Sequence, residues 1–397
     1  MNLRRLLHII SKSTWRKPTK CQVVQFGGLE VTALSLLADE FKIGVMPLIS
    51  EQVSLPVVLR MLLRLRLSRW VYYLEYMQMT DARVVLVWQE TNTDAYQLRH
   101  HGRIPVLCIQ NGVRHNVGPV SGKGFMDALQ EDAKLSHPTA DAYFCFGAAE
   151  PRYLDSVIET RFVPHGSLRA NAYARQRLPK SKCDQVSGIG FIVSFPHRQS
   201  IPGGSIIGNN TPFLRLGDRV MSYHEYYSFD ALVSKAIQNV SRELALEYRI
   251  IAKRSEETSS EVQFFQDVHA GQVEVLAHAK GEGYELADRF EYLITVDSTL
   301  GYEMRALGKP VAFLSNRLKH LDISDRDLTF GFPLNLPADG PYWSSAITEP
   351  EIVQFLHRWI ELVVSQKTQK DSFELMHLDH GNTQLRGMIR TALENAS

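Results

Sequence analysis

Short apolar runs alternate with amphipathic stretches along most of the chain. Runs rich in β-branched residues, such as residues 83–87 and 292–296, have the composition of buried parallel strands. The stretches between them repeat apolar positions every three or four residues, as helices do. Alternating strands and helices predict an α/β protein with mostly parallel, doubly wound sheets. The predicted strands are residues 22–26, 43–48, 83–87, 105–109, 143–146, 161–163, 190–194, 248–252, 273–276, 292–296 and 311–314.

Helical periodicity fills most of the intervals between these runs. The longest such pattern extends from Pro56 towards Met79 and is interpreted as one helix, with the proline in its first turn. Residues 203–210, rich in Gly and Asn, predict a loop. The other predicted helices are residues 31–38, 96–100, a segment from about residue 150, 226–246, 261–268, 284–290, 298–307, 349–365 and the end of the chain.

The strand–helix alternation occurs twice. A polar segment at residues 175–187 separates the two series. A chain of 397 residues is too long for one ordinary core. We therefore predict two Rossmann-like domains, residues 1–178 and 188–370, that face each other across a cleft. Residues 371–397 are expected to form a helical segment that packs back across the boundary.

The stretch from Tyr292 to Leu314 predicts a strand, a turn, a helix and a second strand. Asp297, Ser298 and Thr299 supply cap-type side chains at the turn. Ligands of open α/β sheets lie at the carboxyl ends of strands, and free amides at a helix start attract phosphate. The two hydroxyls would add donors to a phosphate. The alternative is that Ser298 and Thr299 only cap the helix.

Composition narrows the class of protein. Hydrophobic residues make up 44% and charged residues 22%, as in a soluble globular protein, and the formal net charge of +1 argues against a nucleic-acid binder. The four cysteines are far apart and show no metal-ligand spacing, which favours reduced thiols in a cytoplasmic protein. No apolar run reaches the length that spans a bilayer.

Positive charge is concentrated near the start of the chain. Residues 1–80 contain eleven Lys and Arg against five Asp and Glu. Residues 1–10 are basic and amphipathic but lack the cleavage site of a signal peptide. Within residues 57–70, four arginines alternate with Leu and Met, and a helix there would place a basic stripe beside an apolar one. Such a helix could lie on an anionic membrane surface. The alternative is a core helix with a solvated basic edge.

The segment Ser298-Thr-Leu-Gly-Tyr-Glu303, followed by Gly308-Lys309, is the most specific of several loop segments that match one family. Together these segments resemble the surface-carbohydrate biosynthesis proteins of lipopolysaccharide and O-antigen loci. Family members tend to have an Asp-Asn pair after the strand that here ends near Trp88, where this chain has Glu90-Thr91-Asn92. The other matching segments are residues 110–112, 166–171 and 379–382, with weaker matches at Lys253-Arg254, Glu261 and Tyr342-Trp343.

The resemblance implies a glycosyltransferase of the two-Rossmann, GT-B kind, with distant similarity to Kdo transferases and CDP-glycerol phosphotransferases. In such an enzyme, residues 1–178 would form the acceptor side and residues 188–370 the nucleotide-donor side. The expected substrates are a nucleotide-activated sugar and a lipid-linked glycan acceptor. The expected location is cytoplasmic, peripheral on the inner face of the cytoplasmic membrane.

Glycosyl transfer requires a neutralised donor phosphate, an exposed sugar carbon and a base or nucleophile near the acceptor. No Asp-any-Asp pair lies at a strand end, so we expect neither a metal nor another cofactor. Lys253 and Arg254 could neutralise phosphate, or they could simply be a solvated strand end. Gln110, Asn111 and Arg114 could bind acceptor or donor hydroxyls, or Asn111-Gly112 could only form a turn. The predicted catalytic residues are Glu90, His115 and His165; the donor-binding residues are Lys253, Arg254, Asp297, Ser298, Thr299, Tyr302 and Glu303; the acceptor or cleft-lining residues are Asn92, Gln110, Asn111, Arg114 and Ser167.

Three functions remain open from the sequence. The first is a glycosyltransferase that moves a sugar, of the Kdo type from a CMP-activated donor, onto a surface polysaccharide or lipopolysaccharide. The second is a CDP-alditol phosphotransferase. The third is a non-catalytic partner in surface-glycan assembly that keeps the fold.

Overall fold

The strands and helices come from a computed structural model that describes most of the chain. The described residues are 11, 13–27, 35–66, 68–88, 92–112, 117–148, 154–177, 186–195, 200–216, 219–253, 260–277, 282–321, 339–365 and 375–395. The strands are β1 (Ser13–Thr14), β2 (Val23–Phe26), β3 (Ile43–Met46), β4 (Val53–Ser54), β5 (Val84–Val87), β6 (Val106–Ile109), β7 (Val117–Gly118), β8 (Ala142–Cys145), β9 (Phe162–Pro164), β10 (Val186–Ile192), β11 (Pro212–Leu216), β12 (Arg219–Ser222), β13 (Glu247–Ile251), β14 (Glu274–Leu276), β15 (Phe290–Thr295) and β16 (Val311–Phe313).

Most helices fall where periodicity predicts them. They are α1 (Leu55–Leu63), α2 (Arg69–Thr80), α3 (Thr93–Gly102), α4 (Phe125–Ser136), α5 (Leu168–Gln176), α6 (Tyr223–Glu243), α7 (Ser260–His269), α8 (Gly283–Arg289), α9 (Thr299–Ala306), α10 (Arg317–His320), α11 (Glu349–Val364) and α12 (Thr383–Asn395), with a 3-10 turn at His380–Asn382.

The chain divides into two compact units. The first comprises residues 1–112, 129–175 and 377–397, and the second comprises residues 113–128 and 176–376. Each contains its own parallel sheet. The predicted α/β class with two Rossmann-like parallel sheets is therefore confirmed, whereas the predicted domain ranges, their acceptor and donor roles, and the cleft stay predictions.

The first unit is built on a six-stranded sheet in the order β3-β2-β5-β6-β8-β9, with every neighbouring pair parallel. Helix α12, at the end of the chain, lies on this sheet. Its Leu385 and Ile389 are fully buried in one cluster with Leu107 of β6 and Phe144 of β8. The carboxyl-terminal residues therefore complete the core of the first unit.

The second unit has a five-stranded sheet in the order β14-β13-β10-β15-β16, again parallel throughout. A separate sheet in the order β12-β11-β7 is antiparallel. Residues 212–222 of this sheet were not recognised as strands in the sequence, because residues 212–216 alternate in burial and lack the continuous apolar run of the parallel strands.

The predicted long helix at residues 56–79 is wrong. The structure has α1 and α2, separated by a turn in which Leu65 has a φ of +54°. Ser68 begins α2, because its side chain accepts a hydrogen bond from the Val71 amide at 3.2 Å. The left-handed residue ends the first helix, and the serine cap starts the second. The arginines of residues 60–69 therefore do not share one helical stripe.

Candidate functional site

The candidate site lies at the carboxyl ends of the central strands of the second unit. Strand β10 has β13 on one side and β15 on the other, and the chain connects these neighbours in opposite directions across the sheet. Such a reversal of strand order leaves an opening above the carboxyl ends, where α/β proteins bind ligands. The residues that follow β10, β13 and β15 therefore lie close together.

The buried hydroxyl of Thr295 makes two hydrogen bonds at the turn after β15. Oγ1 of Thr295 donates to the carbonyl of Ile192, the last residue of β10, at 3.0 Å. The same oxygen accepts a hydrogen bond from the Ser298 amide at 3.1 Å. Thr295 thus joins the ends of the two central strands and fixes the residue before α9. The predicted strand, turn and helix at this position are present.

Ser298 occupies the N-cap position of α9, but its side chain makes no capping hydrogen bond. The interpretation of Ser298 as a simple cap is therefore not supported by its geometry. Thr299, the first helical residue, is half-buried. Amides in the first turn of a helix have no partner within the helix, so they and these hydroxyls can interact with an anion.

Gly301 permits α9 to lie directly against β15. A Cβ atom at this position would come within 2.4 Å of Cγ2 of Thr295. Only glycine lets the first turn of this helix approach so closely to the strand, as in phosphate-binding turns of Rossmann folds. The glycine in the Ser-Thr-Leu-Gly segment therefore has a packing role.

Lys253 lies at the carboxyl end of β13 and its side chain is exposed. Its Nζ is 3.3 Å from Oγ of Ser194, which follows β10. The ammonium therefore extends towards the centre of the sheet edge. Its backbone is held by Glu261, whose fully buried carboxylate accepts from the amides of Lys253 at 3.1 Å and Phe195 at 3.2 Å.

Asp297 belongs to a charged network below this edge. Its Oδ2 accepts a hydrogen bond from Nη2 of Arg317 at 3.3 Å. Arg317 is 1% exposed, and its Nη1 donates to Asp230 at 2.5 Å. Its guanidinium also lies over the ring of Tyr226, with 4.0 Å between the guanidinium carbon and the ring centre. Burial raises the pKa of the Asp230 carboxyl, while the Arg317 charge opposes that rise.

Two further predicted donor residues lie on α9. The ring of Tyr302 is buried, 3% exposed, and its centre is 4.7 Å from that of Phe313. Tyr302 therefore packs in the core of the second unit. Glu303 is 8% exposed, and its role in donor binding stays a prediction.

The first unit has an equivalent reversal of strand order, between β2 and β5. Gly27 follows β2 with a φ of +68°, and a Cβ there would lie 2.7 Å from Nδ2 of Asn92. Asn92 therefore lies at the carboxyl end of β2. Gln110 is 1% exposed and links two loops, accepting from the Phe146 amide at 2.7 Å and donating to the Gly112 carbonyl at 3.0 Å. Asn111 beside it is half-buried.

His165 lies in a closed hydrogen-bonding network. It is 0% exposed, and its Nε2 is 3.6 Å from Oδ2 of Asp379. Asn171 donates to the His165 carbonyl at 2.9 Å and to Oδ1 of Asn382 at 3.0 Å, and it accepts from the Asp379 amide at 3.0 Å. Burial lowers the pKa of His165 to about 4, against the effect of Asp379. This network ties the carboxyl-terminal segment to α5.

The network explains two family segments in structural terms. Ser167 is 6% exposed, and its Oγ accepts from the Ala170 amide at 3.4 Å, at the start of α5. Asp379 accepts from the Gln384 amide at 2.9 Å, in the first turn of α12. The Asp379 carboxylate therefore holds the start of α12, whereas Asn382 donates to the Leu168 carbonyl at 3.1 Å.

Four predicted site residues lie outside the described part of the chain, and their roles stay predictions. They are Glu90, Arg114, His115 and Arg254.

Sequence reasoning missed Arg317, Asp230 and Thr295. Arg317 lies four residues after the end of β16, and a cation so close to the carboxyl end of a strand could have been recognised as a candidate site residue in the sequence. Asp230 lies within α6 and offers no signal in the sequence. Among the described residues, no three His, Cys, Asp or Glu side chains are grouped as metal ligands.

Two solved structures have a similar fold. The chain aligns with the wall teichoic acid polymerase TagF at 11% identity and a TM-score of 0.51, over 98% of this chain and 93% of that one. It aligns with UDP-GlcNAc 2-epimerase from Neisseria meningitidis, bound to UDP-GlcNAc, at 10% identity and a TM-score of 0.50, over 93% of this chain and 100% of that one. These similarities show a GT-B-like fold.

Sequence comparison gives a more specific result. No curated protein matches the chain. Residues 107–393 match a protein family described as "putative O-antigen biosynthesis protein". The matched region includes the site at β10, β13 and β15 as well as the network around His165. Since it covers well over half of the sequence, the chain belongs to this O-antigen biosynthesis protein family.

Proposed function

We propose that the chain is a metal-independent glycosyltransferase of surface-glycan assembly, which transfers a sugar of the Kdo type from a CMP-activated donor to a lipid-linked glycan acceptor. The donor binds at the carboxyl ends of β10, β13 and β15. The observation that carries the proposal is that two groups able to bind phosphate lie at this one sheet edge. They are the exposed side chain of Lys253, which is hydrogen-bonded to Ser194, and the start of α9, where Ser298 makes no capping hydrogen bond. Family membership and the GT-B-like fold support it.

Different residues bind the donor phosphate and accept the proton of the acceptor. The ammonium of Lys253, the amides of the first turn of α9 and the hydroxyls of Ser298 and Thr299 bind the donor phosphate and stabilise the charge that develops on it. During transfer, the bond from the anomeric carbon to the phosphate oxygen breaks, and the nucleotide leaves with the electron pair. The acceptor oxygen forms the new bond, and its proton passes to a base, for which Glu90 and His115 are the candidates. We assign no proton transfer to His165, because it is buried away from solvent.

Calorimetry with CMP, CDP, UDP and GDP tests the donor site. We expect binding of a cytidine nucleotide. Thr299→Ala removes a hydroxyl donor to a charged acceptor, a loss of roughly 1.5–3 kcal/mol, which corresponds to about tenfold or more in affinity. Lys253→Met should weaken binding by a similar factor. The matched control is Lys235→Met, an exposed lysine on α6 of the same unit.

Two results would contradict the proposed donor site or the proposed activity. If Thr299→Ala and Lys253→Met lower the melting temperature while nucleotide affinity stays at the wild-type value, the stretch is purely structural and the donor site lies elsewhere. If none of the four nucleotides binds, the chain is a non-catalytic assembly partner.

A second candidate function, transfer of an alditol phosphate from a CDP donor, has one observation in its favour. A structure of TagF soaked with CDPG aligns with the chain at 12% identity and a TM-score of 0.51, over 94% of this chain and 89% of that one. The two reactions differ in the bond that breaks. Release of CMP from CDP-glycerol indicates phosphotransfer, whereas hydrolysis of a CMP-sugar without acceptor indicates glycosyl transfer.

A further inference from the structure

Exposed apolar side chains are concentrated in one part of the first unit. Among the described residues, nine large hydrophobic side chains are exposed, and five of them lie at residues 15–65. Scattered exposed apolar residues are ordinary on protein surfaces, but a group of them marks an interaction site. These five are Trp15, Leu59, Leu62, Leu63 and Leu65, exposed by 77, 53, 48, 78 and 91%.

We call the part of the first unit that carries these five side chains the leucine surface. Leu59, Leu62 and Leu63 are three and four residues apart on α1 and therefore lie on the same side of the helix. The opposite side, with Val57 and Met61, is buried. Strand β1 runs parallel to β4, with Thr14 paired to Ser54 directly before α1. Trp15 therefore leaves β1 beside the start of this helix.

The segments that carry the leucine surface also carry positive charge. Arg60 and Arg64 both contact one buried carboxylate, that of Glu75, with 2.7 Å between Nε of Arg60 and Oε2. Arg69 pairs with Asp94. The remaining cations, Arg16, Lys17 and Arg66, are exposed. Six cations thus face two carboxylates, and the first 29 residues of the chain contain no Asp or Glu.

We propose that the leucine surface docks on the anionic face of a lipid bilayer. Its apolar side chains would enter the boundary between headgroups and acyl chains, and its cations would contact anionic lipid headgroups. Trp15 suits this position, because tryptophan is enriched at membrane interfaces. A second copy of the chain is a poorer occupant, since self-association through this surface would bring two positive rims together. None of the described helices is long and apolar enough to cross a membrane.

The proposal does not depend on which donor the enzyme uses. It differs from the expectation drawn from the arginine pattern, because the structure neutralises part of that charge through Glu75 and Asp94 and exposes leucines instead. The apolar contacts should therefore supply a large part of the affinity, and the charges should supply the preference for anionic lipid.

Vesicle co-sedimentation of the full 397-residue chain tests this surface. We expect binding to vesicles that contain phosphatidylglycerol and much weaker binding to pure phosphatidylcholine. The double variant Leu63→Ser/Leu65→Ser should lower the partition coefficient at least tenfold, and Arg66→Gln should lower it about fivefold, the factor that corresponds to about 1 kcal/mol per basic residue. Added salt should weaken binding of the wild type.

The matched control is Val364→Ser, because Val364 is 67% exposed but belongs to the second unit. It should bind vesicles like the wild type, and melting curves should show that all variants are folded. Equal binding to both kinds of vesicle would overturn the proposal. So would no binding to either, or light scattering that shows a dimer abolished by the double leucine variant.

Discussion

Arg317 donates a hydrogen bond to Asp297, with 3.3 Å between Nη2 and Oδ2, and thereby joins the loops after the last two strands of the second sheet. The same guanidinium is bound to Asp230 at 2.5 Å, so one fully buried cation holds two carboxylates. Asp297 directly precedes Ser298 of the proposed phosphate site. The position of that site therefore depends on Arg317, which is not one of the proposed donor-binding residues.

Arg317→Met should destabilise the protein by about 3 kcal/mol or more, because it leaves the Asp230 carboxylate buried without its cation. Denaturant unfolding measures the loss. Arg289→Met, at an exposed arginine of α8, is the control and should change the free energy of unfolding by less than about 0.5 kcal/mol. Equal, small effects of the two substitutions would show that the buried pair does not stabilise the fold.

Gly301→Ala should destabilise the second unit by about 1–3 kcal/mol, because the added methyl group would overlap Thr295 in a packed interior. The same substitution at Gly387 of α12, where a Cβ would meet nothing within 4 Å, should stabilise the protein by about 0.5–1 kcal/mol. Melting temperatures that shift in opposite directions would support both assignments. A shift of the same sign for both would contradict the packing role of Gly301.

Asn171→Leu should cost about 3 kcal/mol, because the buried His165 carbonyl and Asp379 amide would both lose a partner. The expected local consequence is release of residues 377–382, which hydrogen exchange of the Asp379 and Asn382 amides would detect. Thr391→Ala, on the exposed side of α12, serves as control. Unchanged exchange in Asn171→Leu would mean that α12 is held by its apolar contacts alone.

Stability should fall in mild acid because of His165. Its folded pKa is lowered to about 4 by burial, whereas an unfolded histidine titrates near 6.5. Between these values the unfolded state binds more protons, so the contribution of His165 is complete above about pH 6.5 and is lost as the pH falls towards 4. The difference amounts to at most about 3 kcal/mol.

Denaturant unfolding at several pH values between 7 and 4.5 measures this effect. His165→Gln should reduce the dependence on pH, whatever its effect on stability at pH 7. An identical slope in the wild type and the variant would assign the acid sensitivity to other groups.

The sequence by itself determined the fold class and the strand, turn and helix at residues 292–307. Strand and helix signals are local: an apolar β-branched run predicts β15, and the Ser298-Thr299 pair marks the start of α9 close to where the structure has it. The same local signals failed at residues 64–68, where a left-handed residue and a serine cap divide a pattern that periodicity alone continues.

Only the tertiary structure decided which of these residues meet. Strand order brings Lys253 and Ser298 to the same edge, and no local pattern encodes that order. Asn171 and Asn382 are 211 residues apart in sequence but hydrogen-bond at 3.0 Å. Arg317 donates a hydrogen bond to Asp230, which is 87 residues away in the sequence. Burial then decides their roles, because a polar group removed from water requires a partner. For that reason His165, a predicted catalytic residue, is a buried member of a structural network. Arg317, which the sequence analysis did not single out, is buried and holds the residue that precedes the proposed phosphate site.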